Sequence, residues 1–481
     1  MKENNLLLPV WENPGIQEIN RLPMRSSFLP FSCMDEAVTD AVCGPEYRTC
    51  LTNDRVLSLD GQWNFAFYTS PDDAVDYTSV PKDTITVPGT WSLQGWDKPH
   101  YTNVQMPFSV LPPFAPEQNP TGYYYKELNI PSQWKDKRIV LHVGSAESLL
   151  MVYVNGEFAG YSKDSRLPAE FDISLFLNTD KPNILCLKVV RYSDASYVED
   201  QDQWWFGGIH RSVFMYCTKK TYLSNVCAVP AGITKFDDGP KEGELTLKLS
   251  FGGNLKAGSG IGNNTNAEQQ NFDTFKISYA VYRLALPSSK DEASSFIHSS
   301  KPVIQDSFDF TCSYRTNSCT AEKKITIKNP ELWSHENPAL YIVGLTITQG
   351  GKHIESTAIV TGFRTVEVNN RELLINGKAV LIKGVNRHEH DEKKGKTIST
   401  ESMVRDILLL KQHNFNAVRT SHYPNDERWY ELCDRYGIYL TDEANIENHC
   451  FYDQLCRDSR WAYAYLSRVQ RMAQRDCNHP S

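Results

Sequence analysis

The chain has 481 residues, of which 40% are hydrophobic and 22% are charged, and its formal net charge is −8. This composition is that of a folded globular protein, and it excludes a disordered chain, a collagen and a coiled coil. At ~100–200 residues per domain, the length predicts about three domains. The 58 acidic and 50 basic residues are interspersed, so no strong positive field exists to hold a nucleic acid or an anionic membrane.

The 12 cysteines are scattered and form no Cys-x-x-Cys pair. This pattern predicts free, mostly buried thiols in a reducing compartment. Near the start, the apolar run from Leu6 to Val10 is too short for a signal peptide. No segment approaches the ~20 consecutive apolar residues of a membrane span. The sequence therefore predicts a cytoplasmic protein without a membrane partner.

Residues 57–220 predict an antiparallel β domain, preceded by an N-terminal extension over residues 1–56. Short alternating runs such as SLDGQWNFAFY and RIVLHVGSA are bounded by turn residues, as in a jelly-roll sandwich. Asn155-Gly156 lies between two such runs and predicts a type I′ hairpin, because both central residues of that turn need positive φ. The stretch MPFSVLPPFAPEQNP, with five prolines, predicts an ordered loop because proline cannot donate a ladder hydrogen bond.

Residues 221–366 predict a second β domain. Runs such as LTLKLSF, FKISYAVYRLAL and LYIVGLTITQ have the spacing of an immunoglobulin-like sandwich. The Gly- and Asn-rich stretch GGNLKAGSGIGNNTNAEQQN has no apolar periodicity. It indicates a solvated hairpin insertion within this domain and not a domain boundary.

Residues 367–481 show a different apolar period after ELLINGKAV. AVLIKGVN is followed by the helical TESMVRDILLLKQHN, AVRTSHYP by DERWYELCDRYG, and IYLTDEANIE by RWAYAYLSRVQRMAQRD. Ser399 or Thr400 is predicted to cap the first helix, and Gly437 to end the second. The pattern predicts three successive βα units with parallel strands, in a doubly wound sheet or a (β/α)₈ TIM barrel.

Polar residues cluster where each of these strands ends. The clusters are Asn386-Arg387-His388-Glu389-His390, Arg419-Thr420-Ser421-His422 and Asp442-Glu443-Ala444-Asn445-Ile446-Glu447. In either parallel architecture, the carboxyl ends of the strands form the rim on which active sites are built. Three clusters at equivalent positions therefore favour a site for metal binding, sugar binding or acid–base chemistry over three unrelated polar loops.

Glu447 and His449 alternate along one extended segment, so their side chains are predicted to point to the same side. A carboxylate and an imidazole, with water in the remaining positions, suit Mg²⁺ or Mn²⁺. A catalytic carboxylate at Glu447 fits the same spacing, and the residues by themselves leave both interpretations open.

Two upstream segments carry further candidate contacts. The run YVEDQDQWWFGGIHR places acids and amides, including Asp202, beside three aromatic residues. That composition fits a pyranose site, and it fits equally an amphipathic turn that caps a sandwich. In HYTNVQMPFSV, Asn103 precedes the proline-rich loop, and its local sequence favours an Asx-turn.

Six segments together carry a family resemblance: YTNVQMPFSVLPPFAPEQNPTG, GYSKDSRLPAEFDIS, YVEDQDQWWFGGIHR, LIKGVNRHEH, NAVRTSHYPN and DEANIENH. They resemble the β-galactosidases of glycoside hydrolase family 2, and the likeness extends from WENPG near residue 11 to NHPS at the end. NRHEH and DEAN are shared with the β-glucuronidases and β-mannosidases of the family. Asp-Gln-Asp-x-Trp and Tyr-Thr-Asn-Val are similar to the β-galactosidase branch in particular.

The resemblance implies hydrolysis of terminal β-D-galactosyl residues, as in lactose, with retention of configuration. The residues that it assigns to the substrate are Asn103, Asp202, His388, Arg419 and His422, with Arg419 orienting the surroundings of the nucleophile. It assigns Asp202 to Na⁺ as well, and Glu447 and His449 to Mg²⁺, which favours the metal interpretation of that segment.

The resemblance also implies an incomplete catalytic domain. In the family, NHPS leads into the next barrel strand, which ends in the Asn-Glu pair of the general acid/base, and the nucleophilic Glu comes later. Both catalytic residues are therefore expected beyond Ser481, and the chain is expected to be a truncated product that is inactive alone. It would hold two complete β domains and the first part of a TIM barrel.

Two other functions fit the same residues. One is a non-catalytic galactoside-binding fragment, which keeps Asn103 and Asp202 without the chemistry. The other is a family 2 β-glucuronidase or β-mannosidase, although a glucuronidase would want extra cationic residues facing the substrate carboxylate. Family members are commonly homo-oligomers, which implies association here as well.

Overall fold

The computed structural model describes residues 8–48, 53–73, 75–233, 242–253, 255, 273–312 and 319–481. The first domain and the extension before it contain helix α1 (Met34–Tyr47) and the following strands. These are β1 (Glu18–Ile19), β2 (Val56–Ser58), β3 (Gly61–Tyr68), β4 (Thr84–Val87), β5 (Gly89–Thr90), β6 (His100–Tyr101), β7 (Thr121–Leu128), β8 (Arg138–Val143), β9 (Leu149–Val154), β10 (Glu157–Lys163), β11 (Ala169–Asp172), β12 (Asn183–Val190), β13 (Glu199–Asp200), β14 (Trp204–Trp205), β15 (Gly208–Ile209) and β16 (Val213–Thr218).

A jelly-roll sandwich forms the first domain, as predicted. Its larger sheet has the order β1-β10-β9-β12-β7-β3-β4, and the facing sheet has the order β11-β8-β16-β2. Inward-facing residues of both sheets, among them Trp63, Leu141 and Leu187, form one core. Asn155 and Gly156 have φ of 53° and 85°, which confirms the predicted hairpin between β9 and β10. Residues 102–120, which include the proline-rich stretch, contain no strand, as predicted.

An immunoglobulin-like sandwich follows, also as predicted. Its elements are β17 (Thr221–Ile233), β18 (Glu242–Gly253), β19 (Thr274–Leu284), α2 (Lys290–Ser299), β20 (Ile304–Thr311), β21 (Thr320–Lys328), β22 (Leu340–Gln349) and β23 (Lys352–Thr361). The sheets have the orders β17-β18-β21 and β20-β19-β22-β23. Alternate residues such as Leu247, Ile277 and Val343 are buried between them. The predicted Gly- and Asn-rich hairpin lies largely outside the described residues.

The expectation of free, mostly buried thiols is wrong in two respects. Cys312 and Cys319 form a disulfide with a Cα–Cα distance of 5.0 Å, because they lie at the facing ends of β20 and β21. The spacing of seven residues gave no Cys-x-x-Cys signal. Of the free cysteines in the described part of the chain, the buried ones are Cys43, Cys186, Cys217 and Cys433, whereas the others are half-buried or exposed.

The third domain begins with an antiparallel sheet of β24 (Val366–Asn369), β25 (Glu372–Ile375) and β26 (Lys378–Ala379). The predicted βα units follow as β27 (Gly384–Asn386), α3 (Thr400–Gln412), β28 (Ala417–Arg419), α4 (Glu427–Tyr436), β29 (Tyr439–Thr441), β30 (Glu447–Asn448) and α5 (Ala462–Arg475). Strands β27, β28 and β29 are parallel neighbours in chain order, which is the start of a TIM barrel.

Both predicted helix ends are confirmed. The Ser399 side chain accepts a hydrogen bond from Ser402 N and caps α3. Gly437 ends α4 with a left-handed φ of 69°. Glycine adopts this conformation without steric strain because it has no Cβ. Within the described residues, no helix has the length and apolar character needed to cross a membrane.

Helix α1 was not predicted, because Gly44 and Pro45 interrupt its apolar pattern. Its buried residues Val38 and Val42 share one apolar cluster with residues of the immunoglobulin-like domain and the barrel. Arg435 of α4 donates to the carbonyl oxygens of Ala41 and Val42 at 2.6 and 3.1 Å. The extension therefore contributes to the packing of the second and third domains.

Candidate functional site

The three polar clusters lie along one edge of the parallel sheet. Asn386 is in register with Arg419, and Arg419 with Thr441. The segments that follow these three residues therefore leave the sheet side by side. The structure thus brings the predicted residues His388, His422 and Glu447 to one rim of the barrel domain.

Two histidines stand at the centre of this rim. The rings of His388 and His422 are 6.0 Å apart between centroids, and His388 Nδ1 lies 3.3 Å from the Tyr423 hydroxyl. Partial burial, with smaller contributions from His422 and Arg166, lowers the pKa of His388 to about 4. The His388 imidazole is therefore neutral at pH 7 and can both donate to and accept from a sugar hydroxyl.

Arg419 and His422 share one carboxylate. Arg419 is ion-paired with Glu443, and His422 Nδ1 lies 2.9 Å from the other oxygen of Glu443. The Glu443 backbone N–H donates to the Thr420 hydroxyl at 3.1 Å, which fixes this segment against the second strand end. Since Arg419 is held by Glu443, it is placed to position neighbouring groups and does not present an unpaired charge.

The acidic loop of the first domain pairs directly with the barrel segment that carries Glu447. Strand β13 lies parallel to β30, with Glu199 opposite Glu447 and Asp200 opposite Asn448. The Asp200 carboxylate accepts from Cys450 N at 2.7 Å. Burial raises the pKa of Asp200 to about 6. The two segments, far apart in sequence, are thus one structural unit.

The segment of Glu447 and His449 fits a metal ion in part. Glu447 Oε2 and His449 Nδ1 are buried without a hydrogen-bond partner in the described part of the chain. His422 Nε2 lies 3.9 Å from Glu447 Oε2. The described residues hold no group of three or more potential ligand side chains. Two side chains with water in the remaining positions would suit Mg²⁺, which commonly retains several waters.

Asp202 lies near Glu447 of this rim, whereas Asn103 is placed by strand β6 of the first domain. The Tyr101 hydroxyl donates to Asp202 Oδ1 at 2.7 Å, and the charge of Asp202 is close enough to raise the pKa of Glu447, although burial of Glu447 is the larger cause. Strand β6, two residues before Asn103, pairs with β14. Asp202 and Asn103 are both exposed.

Several contacts that support the site were not predicted from the sequence. Gln201 Nε2 donates to Asn445 Oδ1 at 2.9 Å, and Asn445 Nδ2 donates to Asp164 at 3.1 Å. Arg211 donates to Glu389 at 2.7 Å across the same boundary. Asn445 and Glu389 stand in the strand-end clusters, but their partners lie more than 170 residues away, and no local pattern connects them.

A partly open cavity of about 270 Å³ lies elsewhere, at the junction of the three domains. Its lining includes Arg25, Asp60, Glu170, Asp426 and Glu431, whose charges are largely paired with neighbouring side chains, as in Arg25 with Glu170 at 2.8 Å. This cavity contains none of the predicted site residues and is separate from the rim.

Comparison with known proteins gives a consistent family. Residues 56–219 match the sugar binding domain of glycosyl hydrolases family 2, residues 234–364 match the middle domain of the family, and residues 366–481 match its TIM barrel domain.

Solved structures agree on the fold. A β-glucuronidase from Bacteroides uniformis has a TM-score of 0.69 at 20% identity, over 89% of this chain and 46% of that one. A β-glucuronidase from Bifidobacterium dentium, complexed with coumarin-3-O-glucuronide, has a TM-score of 0.69 at 22% identity, over 89% and 67%. A β-glycosidase from Bacteroides vulgatus has a TM-score of 0.66 at 21% identity, over 88% and 49%.

The chain thus spans about half the length of several of these proteins. At such low identity the likeness concerns the fold alone. The family follows from the three matched domains in their order, and the chain belongs to glycoside hydrolase family 2.

Proposed function

We propose that the chain carries the substrate-recognition part of a retaining β-galactosidase that hydrolyses terminal β-D-galactosyl residues, as in lactose. The observation that carries the proposal is the parallel pairing of Glu199 with Glu447. This pairing supports the proposal because Asp202, three residues after Glu199, is close enough to Glu447 for its charge to act on it. Carboxylate and imidazole groups that converge from two domains suit the several hydroxyls of a pyranose.

The roles of the individual residues follow from their contacts. From the side of the first domain, Asp202 accepts hydrogen bonds from hydroxyls, and the Asn103 amide accepts from or donates to them. Asp202 is also the proposed Na⁺ ligand. His388 and His422 contact hydroxyls from the barrel rim. Arg419 positions Glu443 and, through it, His422.

Glu447 and His449 are proposed to hold Mg²⁺. When bound, Mg²⁺ would supply a fixed positive charge beside the acidic groups of the rim. Retaining hydrolysis also needs two carboxyl groups ~5–5.5 Å apart, one that protonates the leaving oxygen and one that attacks the anomeric carbon. Because Glu443 is engaged by Arg419 and Glu447 is assigned to the metal, we assign neither of these roles to the described residues.

Galactose is proposed over glucuronate because the segments of Asn103 and Asp202 resemble the β-galactosidase branch of the family. Arg419, the arginine among the predicted site residues, is paired with Glu443 and does not present a free charge to a substrate carboxylate. Two of the structural neighbours are β-glucuronidases, and a β-glucuronidase is therefore the second candidate.

The proposal is tested by calorimetric titration of the chain with methyl β-D-galactoside and with methyl β-D-glucuronide, with Mg²⁺ and Na⁺ present. We expect weak binding of the galactoside, with Kd on the order of millimolar, and its loss in Asp202→Ala. The exposed variant Asp180→Ala serves as the matched control. Tighter binding of the glucuronide would replace the galactosidase with the second candidate, and binding of neither sugar would refute both.

Two further measurements address the chain itself. We expect no hydrolysis of nitrophenyl β-galactoside by the purified chain, and measurable turnover would contradict the proposed division of roles. We also propose that the chain associates into a homo-oligomer, as is common in the family, and light scattering that gives the mass of a monomer would refute this.

A further inference from the structure

A pair of thiols lies between the immunoglobulin-like domain and the barrel domain. The Sγ atoms of Cys227, in β17, and Cys477, two residues after α5, are 3.0 Å apart. Both side chains are half-buried, so a small reagent can reach them. The two residues are 250 positions apart in the chain, and their contact therefore joins segments of two different domains.

The alternation of β17 accounts for the direction of Cys227. Val226 and Ala228, on either side of it, are buried in the core of the immunoglobulin-like sandwich. Because successive side chains of a strand point to opposite faces, Cys227 points away from that core, where it meets Cys477. Lys248 is directly opposite Cys227 in β18, so a cation shares the outer face with the thiol.

The contact between the two sulfur atoms is supported by neighbouring hydrogen bonds. The Asn478 side chain accepts from Ala228 N at 2.8 Å and donates to Val226 O at 3.0 Å. These two bonds tie the residue that follows Cys477 to both residues that flank Cys227. The pair is therefore held together by contacts that do not depend on the thiols themselves.

The surroundings of Cys227 favour its thiolate. The hydrogen bond with Cys477 lowers the pKa of Cys227 to about 7 against the opposing effect of burial, with smaller contributions from Asn225 and the charge of Lys248. Asn225 Nδ2 lies 3.6 Å from Cys227 Sγ. The thiolate is the nucleophile in disulfide exchange, so Cys227 is the residue of the pair that reacts first.

The buried thiols of the chain have the opposite character. Among the described residues, the buried free cysteines all have a raised pKa, and burial is the largest cause in each; they are Cys43, Cys186, Cys217 and Cys433. Their burial also keeps a reagent away from the sulfur atom. A small disulfide is therefore attacked by Cys227 in preference to these four thiols.

We infer that Cys227 and Cys477 are a redox-sensitive site that acquires a disulfide bond by exchange with a glutathione-type disulfide. The Cys227 thiolate attacks one sulfur of the small disulfide, forms a mixed disulfide with it and releases the other half as a thiolate. The Cys477 thiolate then attacks Sγ of Cys227, and the second small thiolate leaves. The two protein thiols lose two electrons and two protons, and the small disulfide becomes two thiols.

The first step prepares the second. In the dithiol, the hydrogen bond to Cys227 raises the pKa of Cys477, with burial and the charge of Cys227 as smaller causes. In the mixed disulfide Cys227 has no charge, so neither its hydrogen bond nor its charge opposes ionisation of Cys477. The attacking sulfur already lies 3.0 Å from the sulfur that it attacks, and the bond that forms is about 2.05 Å long. The adduct on Cys227 is therefore an intermediate, and the linked pair is the product.

The bond tethers the barrel domain to the immunoglobulin-like domain. It joins residues 250 positions apart, and a cross-link between distant residues restricts the unfolded chain. It also fixes the segment that follows α5, the helix whose Arg468 donates to Glu199 of the first domain. Local opening at the end of α5 is therefore rarer in the oxidised chain than in the reduced one.

The first test incubates the folded chain with oxidised glutathione, followed by non-reducing peptide mapping and mass spectrometry. We expect a peptide pair linked through Cys227 and Cys477 and a loss of two hydrogen masses. Cys477→Ser should stop the reaction at a glutathione adduct on Cys227, and Cys227→Ser should abolish both products. Cys450→Ser, at another half-buried thiol, should leave the link intact. A native chain that carries only glutathione adducts, or no modification at this pair, would overturn the inference.

The second test measures the tether by hydrogen exchange of the amides of residues 476–481. We expect exchange about tenfold slower in the linked native chain than in the untreated chain, and no such change in Cys227→Ser after the same treatment. The disulfide of Cys312 and Cys319 is common to both chains and cannot account for the difference. Equal exchange in the linked and the untreated native chain would overturn the tether.

Discussion

Glu199 of the first sandwich and Glu447 of the barrel domain lie directly opposite each other in a short parallel strand pair. The Glu199 carboxylate turns into the protein, where Arg468 and Ser165 each donate to it at 2.5 Å. The Glu447 carboxylate lies near His422 instead. The pairing therefore joins a buried ion pair on one side to the proposed sugar site on the other, and we expect loss of the ion pair to disturb the strand pairing.

Substitution of Arg468 tests this dependence. The side chains of Arg468 and Glu199 are 1% and 5% exposed, so Arg468→Met leaves a buried carboxylate without its partner. We expect a loss of about 3–5 kcal/mol in the free energy of unfolding of this region. Hydrogen exchange of the β13 and β30 amides measures it.

The matched control is Arg457→Met, which breaks an ion pair with Asp453 whose partners are 77% and 64% exposed. An exposed pair contributes at most about 1 kcal/mol, so exchange at β13 and β30 should not change. Equal effects of the two substitutions would contradict the proposed link between the ion pair and the strand pairing.

Gly207 provides a second test of how the acidic loop is held. A Cβ at this position would lie 2.1 Å from a ring atom of Trp91, a side chain that is fully buried in the sandwich core. Gly207→Ala should therefore displace Trp91 or the loop and cost about 1–3 kcal/mol of stability. Thermal unfolding followed by tryptophan fluorescence measures the change. Gly15→Ala, where the nearest atom lies 3.3 Å away on an exposed side chain, should leave Tm within one degree of the native value by comparison.

The pH dependence of stability should reveal the pair of His479 and Asp434. His479 Nδ1 lies 2.6 Å from Asp434 Oδ2. Although burial lowers the pKa of His479, the charge of Asp434 and its hydrogen bond raise it to a net value of about 9. Because the folded pKa exceeds the ordinary value of about 6.5, the stabilisation is fully present below pH 6.5 and is lost as the pH rises through 9.

We expect His479→Gln to lose about 3 kcal/mol relative to the native chain at pH 6, at 1.36 kcal/mol per pKa unit. The difference should shrink towards zero above pH 9. Urea unfolding at pH 6, 7.5 and 9.5 measures it. A difference that stays constant over this range would show that the lost contact is one of packing and not of charge.

The local parts of the fold were predictable from the sequence. Asn155-Gly156, Ser399 and Gly437 each act within a few residues, so turn and cap chemistry located their elements. The rim of His388, His422 and Glu447 was predictable as well, because the carboxyl ends of parallel strands must share one edge.

Long-range pairings were not predictable in the same way. The contacts of Glu199 with Arg468, Gln201 with Asn445 and Cys227 with Cys477 join residues about 250 positions apart, and no period or spacing in one sequence encodes them. Helix α1 was missed because Gly44 and Pro45 disrupt its apolar pattern. Its apolar face is explained only by its packing against the second and third domains. The polar residues of the site could thus be predicted from their positions at the ends of strands. The residues that support them could be identified only in the structure.

Glu355 offers a prediction of opposite sign to that for His479. Its carboxyl group is completely buried in the immunoglobulin-like domain, and burial raises its pKa to about 7, against a smaller lowering by Arg55. The charged form is thus penalised only in the folded state. The native chain therefore has its full stability below the ordinary pKa of about 4.3, and this stability falls as the pH rises through 7.

Glu355→Gln removes the charge in both states, so at pH 8 we expect it to be more stable than the native chain by up to about 3 kcal/mol. The gain should disappear near pH 4.5, as followed by urea unfolding at both pH values. The exposed Glu372→Gln should give no such difference, and a gain for Glu355→Gln that is independent of pH would mean that its cause is packing and not ionisation.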